Sequence, residues 1–382
     1  MRQIYLDNGA TSFPKAPGVG QAMKDYIEKV GVNVNRSSYR ATAEAALSTL
    51  NVREDLCTLF GGGSDPSYAI FTSGVTMSLN MIMKGVLRTG DHLIISGMEH
   101  NAVARPAMQL EAAGVSVSIA PCDETGVLRL TEFEKLFTPQ TRLVVIQYAS
   151  NVSGTIQPIA EIGAICRRHG ALFAVDSAQA AGHFLFDMQA LQVDAMCFTG
   201  HKGLLGPSGI GGFVMNEAMN KALTPLIAGG TGSMSASLEM PPTLPDRYEA
   251  GTPNLPGIMG LGVALRYLME VGPDALHKRE MALTNRFLDG LHGNSHIRVP
   301  GPVDAKGRVG VISVDFLRQD NAEVAFQLEE QYGILTRCGL HCAPLAHKTL
   351  GTYPEGTVRF SVGYTTTEDE VDTAVQAIHS LS

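Results

Sequence analysis

A lysine and an aspartate each follow an apolar segment of this chain. Residues 171–175 are apolar and lead to Asp176, and the apolar residues 195–198 lead into a glycine-flanked turn that holds Lys202. Ligands of open α/β sheets bind beyond the carboxyl ends of the strands, so one site could receive both side chains. Pyridoxal 5′-phosphate (PLP) needs a Schiff-base lysine and an acid facing its pyridinium nitrogen. Either residue alone is more typical of a surface or a helix cap, whereas the pair favours a PLP site.

Polar groups also follow three earlier predicted strands. Gly74 and Thr76 open a helix, where free N–H groups and a hydroxyl could bind a phosphate. His100 could stack on an aromatic cofactor, and Asn151 could donate to a cofactor phenolate or a substrate carboxylate. Each residue alone is more often a helix cap, a structural histidine or a turn residue. Their recurrence at successive strand ends favours a cofactor site.

Composition limits the classes of partner. The 382 residues include 29 basic and 37 acidic ones, a net charge of −8 without a basic run, so a nucleic-acid partner is not expected. No apolar run is long enough to cross a bilayer, and Met1-Arg2 leads directly into 4–7 without a signal-like segment. Six scattered cysteines match neither a disulfide framework nor zinc spacing. We therefore expect a cytoplasmic protein without a metal or a membrane partner.

Strands and helices alternate along the first two thirds of the chain. This order predicts an α/β fold with a mostly parallel sheet covered by helices on both faces. Predicted strands occupy 67–72, 92–97, 115–120, 142–148, 171–176 and 193–198, with 209–215 as a neighbouring strand. Predicted helices occupy about 17–30 and 41–60.

The composition changes near residue 257, where a long helical region to about 292 begins. Strands are predicted at 310–316, 334–337 and 357–362, and the final helix opens with a capping-box spacing, Thr367 to Glu370. We predict a large cofactor-binding domain over 15–256. A small α+β domain over 257–382 is expected to include the N-terminal arm 1–14.

Short motifs along nearly the whole chain carry a family resemblance. They are YLDNGAT, EHNA, SNVSGT, DSAQ, GHKG, AGTPN, RCGLHCAP and VRFSVGY. Together they resemble the class V, fold-type I PLP enzymes, and in particular the cysteine desulfurase and selenocysteine lyase group. The resemblance implies the fold-type I architecture, in which a large domain holds PLP and a small domain follows it.

The resemblance assigns a role to several residues. It implies that Lys202 bonds covalently to PLP, that His100 stacks on the ring, and that Asp176 pairs with the pyridinium nitrogen. The remaining cofactor contacts implied are Gln179 at the phenolate, Thr76, Thr199 and His201 at the phosphate, and Thr252 completing the phosphate site across a homodimer interface.

A loop near the C-terminus distinguishes the members of this class. Similar desulfurases carry Arg-x-Gly-x-x-Cys, which matches Arg337, Gly339 and Cys342. Sulfur abstraction needs a thiolate close to the substrate Sγ, so Cys342 is the expected nucleophile. Cys338 departs from the pattern and is either a resolving thiol or without a role.

Three arginines are candidates for the substrate. Arg359 follows Cys342 by seventeen residues on a predicted strand, and its guanidinium suits a bidentate carboxylate. A surface salt bridge would explain Arg359 equally well from its sequence position alone, and the VRFS match favours the substrate. Arg337 and Arg36 are further candidates near the substrate.

The expected reaction converts L-cysteine to L-alanine and leaves a persulfide on Cys342 for a sulfur-acceptor protein or small thiol. L-Selenocysteine would need the same groups, with Lys202 moving the Cα proton and His100 assisting. Two alternatives remain open. One is another class V aminotransferase or lyase, in which Cys342 is incidental, and the other is a low-turnover PLP-binding sulfur-relay protein.

Overall fold

The computed structural model describes residues 3–34 and 39–382. Its strands are β1 (Ile4–Tyr5), β2 (Ala69–Thr72), β3 (His92–Ser96), β4 (Ser116–Ala120), β5 (Thr141–Gln147), β6 (Leu172–Asp176), β7 (Ala195–Thr199), β8 (Gly211–Met215), β9 (Ile297–Arg298), β10 (Val311–Phe316), β11 (Ile334–Leu335), β12 (Arg337–Gly339) and β13 (Thr357–Ser361). Its α-helices are α1 (Val19–Asp25), α2 (Arg40–Phe60), α3 (Val75–Val86), α4 (Asn101–Ala112), α5 (Leu130–Glu134), α6 (Ile159–His169), α7 (Glu217–Ala222), α8 (Leu255–Val271), α9 (Pro273–Leu291), α10 (Asn321–Tyr332), α11 (Pro344–Thr349) and α12 (Glu368–Leu381). A π-helical turn, Tyr26–Val30, and a 3-10 turn, Pro66–Tyr68, complete the helical segments of the described residues.

The large sheet has the strand order β2-β8-β7-β6-β5-β3-β4. Strands β3 to β7 pair in parallel, and β8 pairs antiparallel with both β7 and β2. β2 therefore runs in the same direction as β7, and the carboxyl ends of all strands except β8 lie at one edge. This arrangement confirms the predicted α/β class and the predicted strand at 209–215.

The central strands of the large sheet are continuous apolar runs, and a hydrophobic core packs on each face of the sheet. Leu143 and Val145 of β5 pack into one core, whereas Val144 and Ile146 pack into the other, and all four are fully buried. Successive strand residues point to opposite faces, so a strand that is buried on both sides needs an unbroken apolar run. Helices α2, α6 and α8 pack on one face, and α3 and α4 pack on the other.

A second sheet, β12-β13-β10-β9, is antiparallel and carries its own core with α9, α10 and α12. The N-terminal arm joins this part of the chain, because β1 pairs in parallel with β11. The capping box predicted at Thr367 and Glu370 is confirmed, since each side chain bonds the backbone N–H of the other residue.

The predicted long helical region is two helices. Gly272 has a φ of 88° and Pro273 starts α9, so the chain changes direction between α8 and α9. Helix α8 contributes Leu255, Ile258 and Leu261 to the core shared with α2 and α6. The predicted boundary between the large and the small domain, between residues 256 and 257, stays a prediction.

A buried ion pair fixes the segment that holds Thr252. Arg53 on α2 contacts Glu249 at 2.7 Å, and the Phe71 N–H donates to the same carboxylate at 2.7 Å. The Arg53 guanidinium also stacks over the Phe71 ring, 4.4 Å from its centroid. The segment before α8 is thereby held against β2. Within the described ranges, no helix has both the length and the apolar character needed to span a membrane.

Candidate active site

The structure brings Asp176 and Lys202 to the carboxyl edge of the large sheet. Asp176 is the last residue of β6, and Lys202 lies in the turn that follows β7, the neighbouring parallel strand. The Asp176 side chain is buried, and its Oδ1 accepts a hydrogen bond from the Ala178 N–H at 2.9 Å. The local reason is that both strands are apolar along their full length and end only where the chain becomes polar.

Burial and mutual charge determine the ionisation of this pair. Burial lowers the pKa of Lys202 to about 8, although the Asp176 carboxylate opposes that shift. Burial likewise raises the pKa of Asp176, against the stabilising effects of the Ala178 N–H and Lys202. A lysine with a depressed pKa is more readily present as the free amine that forms covalent bonds.

His100 caps the N-terminus of α4 and is held as a neutral ring. Its Nδ1 accepts the Ala102 N–H at 3.0 Å, which leaves the ring hydrogen on Nε2. Burial, together with the positive charges of Lys202, Arg337 and other basic neighbours, lowers the pKa of His100 to about 4. A neutral imidazole is therefore the form present at neutral pH.

Glu99, beside His100, is a buried carboxyl group to which the sequence analysis assigned no role. Its Oε1 accepts from Ser96 Oγ at 2.5 Å and from the Gln147 N–H at 3.1 Å, and its Oε2 is buried without a hydrogen-bond partner. Burial raises the pKa of Glu99 to about 8, and the nearby Asp176 charge adds to the shift. Burial thus raises the pKa values of two neighbouring acids, Glu99 and Asp176.

A candidate anion-binding corner lies between α3 and β7. Gly74 precedes α3 and provides no side-chain cap, so the first N–H groups of this helix remain available to an anion. A methyl group placed on Gly74 would lie 3.6 Å from Thr199 Oγ1, which shows how closely the two approach. Thr76 is exposed in the first helical turn, and His201 Nδ1 is buried without a partner.

The N-terminal arm closes the turn beside Lys202. The Ser12 N–H and Lys15 Nζ both donate to the His201 carbonyl, at 2.9 and 2.8 Å. Burial lowers the pKa of Lys15 to about 8, and burial with Lys202 and Lys15 lowers the pKa of His201 to about 4. Gln179 also contacts the arm, because its Nε2 donates to the Gly9 carbonyl at 2.9 Å.

Two arginines on neighbouring strands face the same region. Arg337 on β12 is directly opposite Arg359 on β13. Arg359 is 1% exposed, and its Nη2 donates to Asp7 Oδ1 at 2.7 Å while its Nη1 donates to the Asn151 carbonyl at 3.1 Å. Arg359 Nε and Asn151 Oδ1 are buried without partners. This pair of guanidinium groups offers positive charge and free hydrogen-bonding capacity beside Lys202.

Cys342 lies on a strained turn. His341 and Cys342 have φ values of 49° and 58°, and the Ala343 N–H donates to the Leu340 carbonyl at 2.8 Å, as in a type I′ turn. Non-glycine residues rarely adopt this left-handed conformation, and two in succession are typical of a functionally constrained segment. The Cys342 thiol on this turn is free and exposed.

Three contacts hold the Cys342 turn over the strand ends. Arg337 Nη2 donates to Cys342 Sγ at 3.4 Å, and the Asn101 N–H donates to the Cys342 carbonyl at 2.7 Å. Asn151 Nδ2 donates to the His341 carbonyl at 2.8 Å. The charges of Cys342, Arg337, Arg359 and Asp176 all influence the pKa of Lys202, so the groups share one site.

Cys338 has a different environment from Cys342. It is half-buried on β12 and packs against the core of the small sheet, and burial raises the pKa of its thiol. Its neighbour Arg337 takes the opposite face of the strand, which follows from the two-residue alternation of strands.

Thr252 lies away from Lys202, in the wall of a cavity of about 820 Å³. It is exposed, and Thr72, Ser73 and Gly209 line the same cavity. Ser73 directly precedes Gly74, so the cavity extends toward the anion-binding corner. Arg36, the remaining predicted site residue, lies outside the described residues.

The sequence analysis missed Asp7, Glu99 and Lys15 as members of this site. Asp7 and Glu99 belong to the motifs YLDNGAT and EHNA, and their position in those motifs was the available signal. Lys15 gives no such signal, because its contact with the His201 carbonyl joins residues 186 positions apart.

The α/β fold and the lysine site define a known class of protein. The model of the aminotransferase class-V family matches residues 4–374, and the chain belongs to this family. Members of the family are typically PLP-dependent. The family resemblance inferred from the motifs is confirmed.

Similar proteins extend over almost the full chain. A probable cysteine desulfurase of Methanothermobacter thermautotrophicus is 31% identical over 99% of this chain and 94% of its own length. A cysteine desulfurase of Escherichia coli O9:H4 is 35% identical over 99% of this chain and 93% of its own. The apo structure of a cysteine desulfurase from Thermococcus onnurineus NA1 has a TM-score of 0.92 and 31% identity, covering 99% of this chain and 94% of that one.

The depressed pKa of Lys202 can be measured in protein freed of any cofactor. Acetylation of Lys202 should reach half its maximal rate near pH 8, because burial disfavours the ammonium form. Asp176→Asn should lower this midpoint further, since the Asp176 charge favours the ammonium. Peptide mass spectrometry after pulse labelling gives both values, with the exposed Lys221 as the internal standard for reagent decay. A midpoint near the ordinary lysine value of about 10.4 would contradict the prediction.

Proposed function

We propose that this protein is a PLP-dependent cysteine desulfurase. In the overall reaction, L-cysteine and the Cys342 thiol give L-alanine and a Cys342 persulfide, so one C–S bond breaks and one S–S bond forms. The observation that carries the proposal is the Cys342 turn, which holds an exposed thiol against Arg337 and close enough to Lys202 for their charges to interact. The full-length relatives named cysteine desulfurases support the same activity.

The residues at the strand ends fit PLP. Its phosphate would be held by the N-terminus of α3 with Gly74 and Thr76, and by Thr199 and the unpartnered His201 Nδ1. The buried Asp176 supplies the acid for the pyridinium nitrogen, and Lys202 supplies the amine for the covalent link. His100 would stack on the ring and Gln179 would bind the phenolate. Asn151 is a further candidate for a phenolate or carboxylate contact.

PLP, when bound, supplies an electron sink for the carbanion that forms at the substrate Cα. Lys202 holds and moves the Cα proton, and burial with a pKa of about 8 suits it to both roles near neutral pH. The neutral His100 keeps its hydrogen on Nε2, where it can assist proton transfer while its Nδ1 remains bonded to the Ala102 N–H.

Arg359 is the proposed ligand of the substrate carboxylate. It is almost fully buried, it retains an unpartnered Nε, and it lies opposite Arg337 on the next strand. A guanidinium binds a carboxylate with two parallel hydrogen bonds. Asp7 occupies Arg359 Nη2 in this structure, so a bound substrate would share the guanidinium with the arm. Arg36 remains a candidate for the same role from outside the described residues.

Cys342 is the proposed sulfur acceptor. As a thiolate it attacks the substrate Sγ, and Arg337 lies against the anionic sulfur at 3.4 Å from its Nη2. The exposed position would then allow an acceptor protein or small thiol to reach the persulfide.

L-Selenocysteine fits the same groups as a second substrate. We also propose a cytoplasmic location, because the spacing of the six cysteines matches no disulfide framework.

A homodimer would complete the site. Leu47, Leu50 and Ile227 line the cavity around Thr252 and are 58%, 40% and 45% exposed, which is typical of an interaction surface. A second copy of the chain could cover these side chains and contribute Thr252 to its partner's anion-binding corner.

Within each copy, we propose a large domain over 15–256 and a small domain over 257–382 that includes the arm 1–14.

The cofactor can be tested by absorbance. The purified protein should be yellow, with a visible band that Lys202→Ala shifts or abolishes and that Lys221→Ala leaves unchanged. Lys221 is the matched control because it is an exposed lysine on α7. A colourless protein that cannot be reconstituted with PLP would overturn the proposed cofactor and the reaction with it.

The proposed nucleophile can be tested with a pair of cysteine variants. Cys342→Ala should retain PLP and bind L-cysteine but release almost no sulfide, a loss of orders of magnitude, because the covalent acceptor is absent. Cys338→Ala is the control and should keep most of the persulfide formation. After incubation with L-cysteine, the measurements are alanine, sulfide and the mass of the peptide that contains Cys342.

Each other outcome of this experiment points to a different function. If Cys338 were essential and Cys342 dispensable, the nucleophile would be misassigned. If neither cysteine mattered for the amino-acid product, another class-V aminotransferase or lyase would be favoured. A persulfide with negligible turnover would indicate a sulfur-relay protein. With L-selenocysteine, the dependence on Cys342 should be weaker because selenium leaves more easily.

Sedimentation tests the dimer. The protein should sediment as a dimer, and Leu47→Asp should raise its dissociation constant at least about 10-fold, because a charge would be buried in an apolar contact. Phe326→Asp, at an exposed side chain of α10 outside the cavity, is the matched control. Sulfide release should fall as the dimer dissociates. A fully active monomer at assay concentration would contradict the shared site.

A further inference from the structure

Two histidines and a glutamate converge on one point beside the Lys202 turn. His183 follows β6, while His277 and Glu280 lie one turn apart on α9. One ligand atom from each residue lies within 4.8 Å of the others. Residues three apart on a helix face the same direction, so α9 presents an imidazole and a carboxylate together. The proposed desulfurase reaction uses none of the three.

The cluster contains one ion-pair contact and an imidazole nitrogen without a partner. Glu280 is buried, and its Oε2 lies 2.9 Å from His183 Nδ1. His277 Nδ1 is buried without a hydrogen-bond partner. Leaving a buried nitrogen without a hydrogen-bond partner costs free energy. His277 Nδ1 lies beside the His183–Glu280 ion pair, so it could serve as the third ligand of a bound ion.

We propose that His183, His277 and Glu280 bind a divalent transition metal, with Zn²⁺ as the preferred ion. Two imidazoles and one carboxylate are an established zinc ligand set, and the fourth position would be taken by water. Imidazole nitrogens select against Mg²⁺ and Ca²⁺, which prefer oxygen ligands. The ligands are half-buried or buried, so the site would be partly shielded from bulk water.

A metal ion bound at this position would link separate parts of the fold. A methyl group placed on Gly203 would lie 2.9 Å from His183 Nε2, so the His183 ring packs against the residue that follows Lys202. Lys202, His183 and Glu280 also line one narrow cleft. A bound ion would therefore fasten α9 to the loop after β6, which packs against the turn that holds Lys202.

The test titrates Zn²⁺ into metal-stripped, untagged holoenzyme against a chromophoric chelator, with thiols alkylated to exclude the cysteines. One ion should bind per chain, and the melting temperature should rise because the folded state is favoured. X-ray absorption should show only nitrogen and oxygen ligands at about 2.0–2.2 Å. Glu280→Gln and His277→Ala should each weaken the affinity at least about 10-fold.

A matched control comes from a second histidine–glutamate pair. His169 and Glu134 lie 3.2 Å apart on the surface, so Glu134→Gln should leave zinc affinity unchanged. Circular dichroism of each variant checks its folding. Zinc affinity weaker than about 1 mM, sulfur ligands in the absorption spectrum, or wild-type affinity in both variants would show that the cluster is an ion pair only.

Discussion

The attraction between Asp176 and Lys202 depends on the parallel sheet that delivers them. Their strands are neighbours and end at the same edge, and burial shifts both pKa values while the charge of each group opposes the shift of the other. Desolvation of two charges is costly unless they attract each other. The neighbouring groups favour their neutral forms, because burial lowers the pKa of His100 to about 4 and raises the pKa of Glu99 to about 8.

A second layer of the site comes from outside the large sheet. The arm contributes Asp7 and contacts to the His201 carbonyl, while the small sheet contributes Arg337, Arg359 and the Cys342 turn. The sheet therefore supplies the groups suited to a cofactor, and the second layer supplies those suited to a substrate.

How well the sequence predicts each residue depends on what positions it. Lys202, Asp176 and His100 follow strands whose apolar runs are visible locally, so their convergence follows from the topology of parallel sheets. The cluster of His183, His277 and Glu280 gives no such signal, because packing of α9 brings it together across almost one hundred positions. The left-handed backbone of the Cys342 turn was equally hidden, since no glycine marks it.

The contacts of the N-terminal arm imply an order in which parts of the site form while the chain is synthesised. Asp7 and Arg359 are separated by 352 positions, so the arm leaves the ribosome long before its partner exists. At about 5–20 residues per second, the interval is roughly 18–70 s. During that time the large sheet can fold as a unit and bond Gly9 and Ser12 of the arm, while Asp7 still lacks Arg359. A nascent chain can therefore acquire the lysine pocket first, and it gains the proposed carboxylate site only when the small sheet captures the beginning of the chain.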